Sequence, residues 1–579
     1  MKTTKRIKSD EPAHQKSLLL WPGIVLVLLQ WLIRFGIPLV LPNDTLTQLG
    51  VFGGLLGGLA IVVWWGFFSR APRFDRWSAI VFMIIALIAT SFLLDVSIRT
   101  AMMGLAFTIY SIPLLSFVFV VWAVLSRNLS LKQRRVTMFA TILLACGVWA
   151  LIRTDGMSGN SKNDFAWRWA TTAEERLLAQ GNDKSISIPI DSALMSTEAE
   201  WPGFRGINRD GVIHGIQIKT DWKKSPPVEM WHVQVGPGCS SFAVKGNTIY
   251  TQEQRGENEV VSCYDLNSGK LVWKHDDKAR FYDSHAGAGP RSTPTLVGDQ
   301  VYTLGGTGIL NVLDARDGSV VWSRNAASEN RVEALTWGFT SSPLVIGNLV
   351  IISLSGKLVA YDKENGNPRW NCPNGGNSYS SPHLVTLDGI SQVILMSQSG
   401  ALSVEPTNGK QLWKYDWQVT DRILQPTIVS ETDLLITLET KALRRIHIKH
   451  NQGEWSVKEV WTSEEIKLNF NDVVIHKGYA YGFDGPRIAC IDLKDGKRLW
   501  KGAPYRGWLL LLADQNLLIV LTEKGDIALV EAKPEQFKEL AKIPAIKGKT
   551  WNHPALANDV LLVRNAEEMA AFRLSHKGN

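Results

Sequence analysis

The stretch CYDLNSGKLVW, residues 263–273, decides the fold, because the chain writes it five times. An aspartate opens a short turn that closes on glycine, and an aliphatic run then ends in tryptophan. The phrase returns as VLDARDGSVVW (312–322), AYDKENGNPRW (360–370), SVEPTNGKQLW (403–413) and CIDLKDGKRLW (490–500). The aspartate caps the turn through an Asx-type hydrogen bond, glycine supplies the positive φ that reverses the chain, and tryptophan anchors the next strand on a buried face. Each copy is a hairpin with a packing anchor.

Two further landmarks keep the same period. Short β-rich runs behind a glycine or polar turn occur at GNTIYT (246–251), GDQVYTL (298–304), GNLVIIS (347–353), SQVILMS (391–397), TDLLITL (432–438), KGYAYGF (477–483), QNLLIVL (515–521) and NDVLLVR (558–564). Just before each comes a third phrase: SSFAV from Ser240, STPTL from Ser292, SSPLV from Ser341, SSPHL from Ser380, QPTIV from Gln425, DVVI from Asp472, LLLLA from Leu509 and HPALA from His553. The landmarks agree on eight units. Tryptophans 231, 273, 322, 370, 413, 461 and 500 follow one another at 39 to 49 residues, near the ~40 to 50 of a four-stranded propeller blade. The fifth and seventh units are degenerate, the seventh replacing the turn with EAKPEQFKEL. The last unit has no tryptophan before the chain ends, and the early run VEMWHVQV (228–235) is the strand that completes it and closes the ring. The fold class expected is an all-β eight-bladed propeller.

Residues 1–153 are different in kind. They hold five apolar runs of membrane-spanning length, at Leu18–Leu41, Leu49–Phe68, Ser78–Leu94, Ala101–Leu125 and Val136–Ile152, a helical domain of five transmembrane helices. The net charge of +8 is confined here: up to Arg153 there are 15 Lys/Arg against 5 Asp/Glu, and beyond it 47 against 49. The basic loops alternate, with Lys2, Lys5, Arg6, Lys8 and Lys16 leading, then Arg70, Arg73 and Arg76, then Arg127, Lys132, Arg134 and Arg135. The positive-inside rule sets the N-terminus in the cytoplasm and, after an odd number of spans, the propeller on the periplasmic side of an inner membrane. The first run is too long, and too closely followed by others, for a cleaved signal peptide. Gly53, Gly54, Gly57 and Gly58 form two overlapping small-xxx-small pairs that bring helices close, within one bundle or between two copies. Arg34 is the one charge well inside a span; it is a functional residue by default, or it snorkels to the nearby exit.

Residues 154–200 read as a linker containing one short amphipathic helix at AEERLLAQ, and 201–579 as the propeller. The five cysteines are isolated and form no CxxC. No GxxxxGK[ST], HExxH or GxSxG occurs, and the propeller's near-neutral charge excludes a nucleic-acid partner.

The repeat resembles that of the pyrroloquinoline quinone (PQQ) dehydrogenase superfamily of eight-bladed propellers, over about residues 201–579. The opening phrase WPGFRGINRDGV (201–212), with VGPGCSSFAV and GPRSTPTLVGDQVYTLGGTGIL, is similar to PQQ-binding-like β-propeller repeat proteins of the bacterial envelope. The same repeat occurs in catalytic quinoproteins and in non-catalytic BamB-type assembly propellers, so it fixes shape and leaves activity open. Five spans leading into a propeller also resemble membrane-bound quinoprotein glucose dehydrogenase. The resemblance implies a binding or scaffold module of the envelope with another envelope protein as partner. Its alternative is a PQQ-dependent dehydrogenase oxidising a sugar or alcohol and passing electrons to membrane quinone.

Propeller ligands sit at the mouth of the central channel, on the loops that enter the innermost strands. Those loops carry His285, Arg291, Trp337, Tyr379, Arg422, Asn469, Asn471, Tyr505, Arg506, Trp508, Lys549 and Trp551. Under the dehydrogenase alternative Arg291, Arg422 and Arg506 pair with the carboxylates of PQQ, Trp337 or Trp551 stacks on its ring, and His285 moves the proton. Ca²⁺ would accompany the cofactor, and Glu253, Asn471, Asp472 and Asn552 carry oxygens for it, although they match no ligand motif and no metal residue is assigned. The sequence departs from the alcohol-oxidising quinoproteins in lacking a vicinal cysteine pair and their long insertions.

Overall fold

The computed structural model describes residues 18–40, 44–159, 163–181, 198–373, 375–417, 425–438, 442–468 and 471–576. It divides into two compact units, Met1–Ala170 and Thr171–Asn579.

In the first unit, five helices are long and apolar enough to cross a membrane: Trp21–Val40, Leu46–Phe68, Arg73–Leu93, Ala106–Asn128 and Leu131–Leu151. Each overlaps a run read from the sequence. Trp64 and Trp65 of the second helix are almost fully buried, and Trp65 meets Phe119 and Trp122 of the fourth at ring distances of 4.8 and 5.9 Å. The glycine pairs serve packing inside this bundle. A Cβ on Gly53 would stand 2.4 Å from Ile33, one on Gly57 2.6 Å from Gln30, and one on Gly58 2.2 Å from Ile112, so the first and fourth helices lie directly on the glycine faces. After the fifth helix Ile152–Met157 pairs antiparallel with Asn163–Trp167, a hairpin that runs from the end of the segment read as helical into the one read as linker.

The second unit begins with the short helix Ala173–Ala179, held by a capping box between Thr172 and Glu175. Eight sheets follow in a ring. By their innermost strands they are blade 1 (Ala243–Lys245), blade 2 (Thr295–Val297), blade 3 (Leu344–Ile346), blade 4 (His383–Leu387), blade 5 (Thr427–Ile428), blade 6 (Val474–His476), blade 7 (Gly507–Leu512) and blade 8 (Ala555–Ala557). Blade 8 takes its outermost strand from Val228–Gln234, which pairs with Glu568–Arg573, so one sheet contains both ends of the propeller and the ring has no open seam.

The repeated phrase acts between blades as well as within them. Asp265 Oδ1 accepts from Ser268 N, and Gly269 N donates to Asp265 O, closing the turn. The indole of Trp231, on blade 8, then donates to Leu266 O in that turn on blade 1. The same bond runs from Trp273 to Ala315, Trp322 to Lys363, Trp370 to Pro406 and Trp461 to Leu493, at 2.8 to 3.1 Å. In each case the ring lies flat on the turn glycine: a Cβ on Gly269, Gly318, Gly366, Gly409 or Gly496 would stand 2.5 to 2.8 Å from it. These glycines also have φ of +67° to +75°, so backbone and neighbour both require glycine. Blade 5, with hairpin NQG at 451–453, offers no such turn, and Trp413 of blade 4 bonds Gln392 of its own blade instead.

Candidate functional site

The third phrase builds the lining at the channel end of the blades. Ser241 N donates to Thr293 Oγ1, Thr293 N to Ser342 Oγ, Ser342 N to Ser381 Oγ, and Ser381 N to Gln425 Oε1. Ser241 Oγ closes back onto His553 O of blade 8. On blades 2, 3 and 4 the second residue of the phrase is thus the acceptor for the blade before it, Gln425 at the head of its phrase takes that part on blade 5, and Ser241 donates back to blade 8, a belt from blade 8 to blade 5. Its hydroxyls are buried and consumed by architecture.

The opening phrase WPGFRGINRDGV plugs the channel. Pro202 O accepts from Leu296 N on blade 2. Arg209 donates to Ser342 O and Pro343 O ahead of blade 3 and to Pro382 O ahead of blade 4. Arg205 donates to Val473 O of blade 6 and stands 3.6 Å from Asp472, Phe204 meets His553 of blade 8, and Val212–Ile213 adds a parallel strand to blade 7. Blades 2, 3 and 4 face blades 6, 7 and 8 across the ring, so a segment that touches both sets crosses the axis. The two arginines set the local electrostatics. Burial pushes the His383 imidazole down to about 3, with Arg209 and Arg205 adding to the effect, and burial holds His553 well below its ordinary value. Burial also raises the Asp472 carboxyl, against the pull of Arg205.

The mouth collects most of the residues singled out from sequence into one arc. Tyr379, before blade 4, packs on Trp337, before blade 3, with ring centroids 4.8 Å apart. Trp337 meets His285, before blade 2, edge to face at 6.2 Å. Lys549, before blade 8, donates to His285 O at 2.6 Å and lies 4.5 Å over Trp551. Trp551 Nε1 donates to Glu523 Oε1, and Glu523 stands 3.8 Å from Arg506, before blade 7. Arg291 lies beneath the arc, buried, bonded to Asp283 at 2.5 Å and to Gly287 O and Ala288 O, with Cys239 at 3.8 Å. Arg422 and Asn469 lie outside the described residues.

Asp283 and Glu523 are the partners that sequence reasoning missed. Asp283 sits two residues before His285 and its Oδ1 accepts from His285 N, a local Asx signature that was legible. Glu523 lies in a hairpin inside blade 7, remote in sequence from Arg506's loop, and carried no such signal. With both in place Arg291 and Arg506 each face an acid, and burial lowers the Lys549 ammonium.

These side chains do not fit a flat polyanionic ring such as PQQ. Arg291 is locked to Asp283, Lys549 covers the Trp551 face, and Trp337 packs against Tyr379. The oxygens considered for Ca²⁺ are likewise committed in separate places. Glu253 accepts from Gly236 N, Ser262 and Tyr264 beside Arg255; Asn471 and Asn552 donate to backbone carbonyls; Asp472 faces Arg205. Among the described residues no three His, Cys, Asp or Glu side chains converge as a metal set.

Comparison with known proteins agrees with this architecture. Residues 219–414 match the family described as outer membrane protein assembly factor BamB. The chain is 25% identical over 373 residues to that factor from Yersinia pestis, covering 58% of this chain and 86% of the relative. It is 25% identical over 307 residues to the one from Shewanella oneidensis, covering 48% and 71%. The quinohemoprotein alcohol dehydrogenase of Comamonas testosteroni superposes with a TM-score of 0.51 at 13% identity, over 70% of this chain and 85% of that one, a likeness of fold. The fold is an eight-bladed propeller of PQQ-type repeats preceded by five long apolar helices.

Proposed function

We propose that the chain is an envelope scaffold: five helices fix it in the inner membrane, N-terminus in the cytoplasm, and the periplasmic propeller binds another envelope protein. The observation that carries this reading is the mouth itself, whose cations and aromatic faces are already engaged by protein groups. Similarity to BamB along most of that factor's length supports the same reading.

The rims of the blades are the surface this proposal assigns to the partner. Outermost strands present backbone groups at an open edge, and several carry exposed aliphatics: Val320 and Val321 on blade 2, Val460 on blade 5, Leu499 on blade 6 and Val228 on blade 8. A photo-crosslinking residue placed at Val460 or Leu499 in living cells should capture one partner in defined yield, and one at Trp551 should not. Capture only from the mouth would move the binding surface there, and a sugar- or alcohol-dependent reductase activity of the purified protein would replace the scaffold by the dehydrogenase alternative.

A further inference from the structure

Among the described residues the helical bundle buries two charged side chains, Asp75 and Arg34. Asp75 has its counter-ion: Arg135 Nε donates to it at 2.7 Å. Arg34, 7% exposed, has no described carboxylate within ion-pairing distance, and its Nε has no hydrogen-bond partner. The guanidinium lies instead between two rings, 4.9 Å from Phe35 and 5.2 Å from Tyr110. It therefore does not snorkel out of the bundle.

The surroundings are built to admit it. The first helix widens into a π turn over Leu32–Gly36, a local geometry that recurs at functional sites. Gly54 supplies the room, since a Cβ there would stand 3.2 Å from Arg34 Cδ. One turn earlier Gln30, 1% exposed, donates to Gly54 O at 2.7 Å and to Ser116 at 3.5 Å, leaving its Oε1 without a partner. Arg34 lies six residues before Val40, roughly 9 Å along the helix, and Tyr110 four residues after Ala106, roughly 6 Å. Both positions are near the bundle end where the hairpin emerges, and Asn163 of that hairpin donates to the Tyr110 hydroxyl at 3.4 Å. A polar path to Arg34 thus comes from that end.

An uncompensated guanidinium in an apolar bundle is costly to bury, and an incoming anion removes the cost. We propose that Arg34, beside Tyr110, is an intramembrane anion site that binds the phosphate of a lipid entering from the hairpin end. The proposal rests on the bundle being a membrane domain. A lipid is specified because Leu28, Leu29, Leu32 and Ile33 on the same helix are exposed and apolar, a face that acyl chains cover when the bundle lies in a membrane. The guanidinium fork pairs bidentately with phosphate, which an ammonium does not do.

The test uses the full-length protein in detergent, with binding read by native mass spectrometry against phosphatidic acid, diacylglycerol and inorganic phosphate. The expected result is saturable binding of phosphatidic acid alone, weakened at least tenfold in Arg34→Leu and less in Arg34→Lys. Equal binding by wild type and Arg34→Leu overturns the proposal, as does equal binding of diacylglycerol; competition by inorganic phosphate overturns the lipid as its source. If Arg34→Leu fails to fold, Arg34→Lys and Tyr110→Leu carry the same comparison, and undiminished binding in both overturns it. Carbonate extraction separates the two readings: a chain released from membranes without detergent defeats the membrane domain, whereas a retained chain whose binding ignores Arg34 defeats the site alone.

Discussion

The two units treat their buried cations in opposite ways. In the propeller Arg564, fully buried, donates to Thr251, Gln252 O and Gly236 O, Arg291 is bonded to Asp283, and Arg205 spans a carbonyl and a carboxylate. In the bundle Arg34 is buried with no anion among the described residues. A repeat protein writes its polar contacts many times over, and each copy consumes its own donors in holding the next blade. A polar group that occurs once and is left uncompensated is where a ligand is expected instead.

That contrast breaks first at the blade latch. Replacing Trp273 with alanine removes a buried ring and the bond to Ala315 O, and should cost the propeller about 3–5 kcal/mol in chemical denaturation. A Trp413→Ala variant loses a buried ring that packs with Leu434, Ile436, Ile446 and Ile448 of blade 5 but breaks no hydrogen bond between blades, so it should cost less than Trp273→Ala in the same measurement. Gly318→Ala should cost about 2 kcal/mol, because it meets both a φ of +75° and the Trp273 face. Thr293→Val leaves Ser241 N without its acceptor in the buried belt and should cost about 1–3 kcal/mol.

The fold also carries a pH dependence. His383 is held down to about 3 in the fold against 6.5 unfolded, so its unfolded form takes up protons first. Its contribution is complete above pH 6.5 and is lost as the pH falls toward 3. The loss in wild type, compared with His383→Gln across that window, should exceed the loss in the variant, since the raised Asp472 is common to both and pulls the other way.

Much of this architecture is legible in the sequence because a period multiplies weak signals. Three repeated landmarks place the eight blades, VEMWHVQV reads as the missing strand of blade 8, and apolar length marks the five helices. What the sequence hides are partnerships between distant residues. Trp273 is visible as an anchor, but nothing local says that it rests on Gly318 of the next blade. Arg205 and Arg209 are visible in WPGFRGINRDGV, yet their carbonyl acceptors lie on blades far along the chain. At the mouth, position alone groups His285, Trp337, Arg506 and Trp551, while the acids that occupy the arginines are found only through the fold. The hairpin at 152–167 was missed because IRTDGM and NDFAW lack the alternation of a half-buried strand.

With its cations and aromatic faces engaged by protein groups, the propeller mouth should be closed to a quinone cofactor. Calorimetric titration of PQQ with Ca²⁺ into the full-length protein in detergent tests it most directly. No stoichiometric binding is expected up to high micromolar cofactor; tight one-to-one binding that is lost in Arg506→Leu would show an open cofactor site and make the chain a quinoprotein.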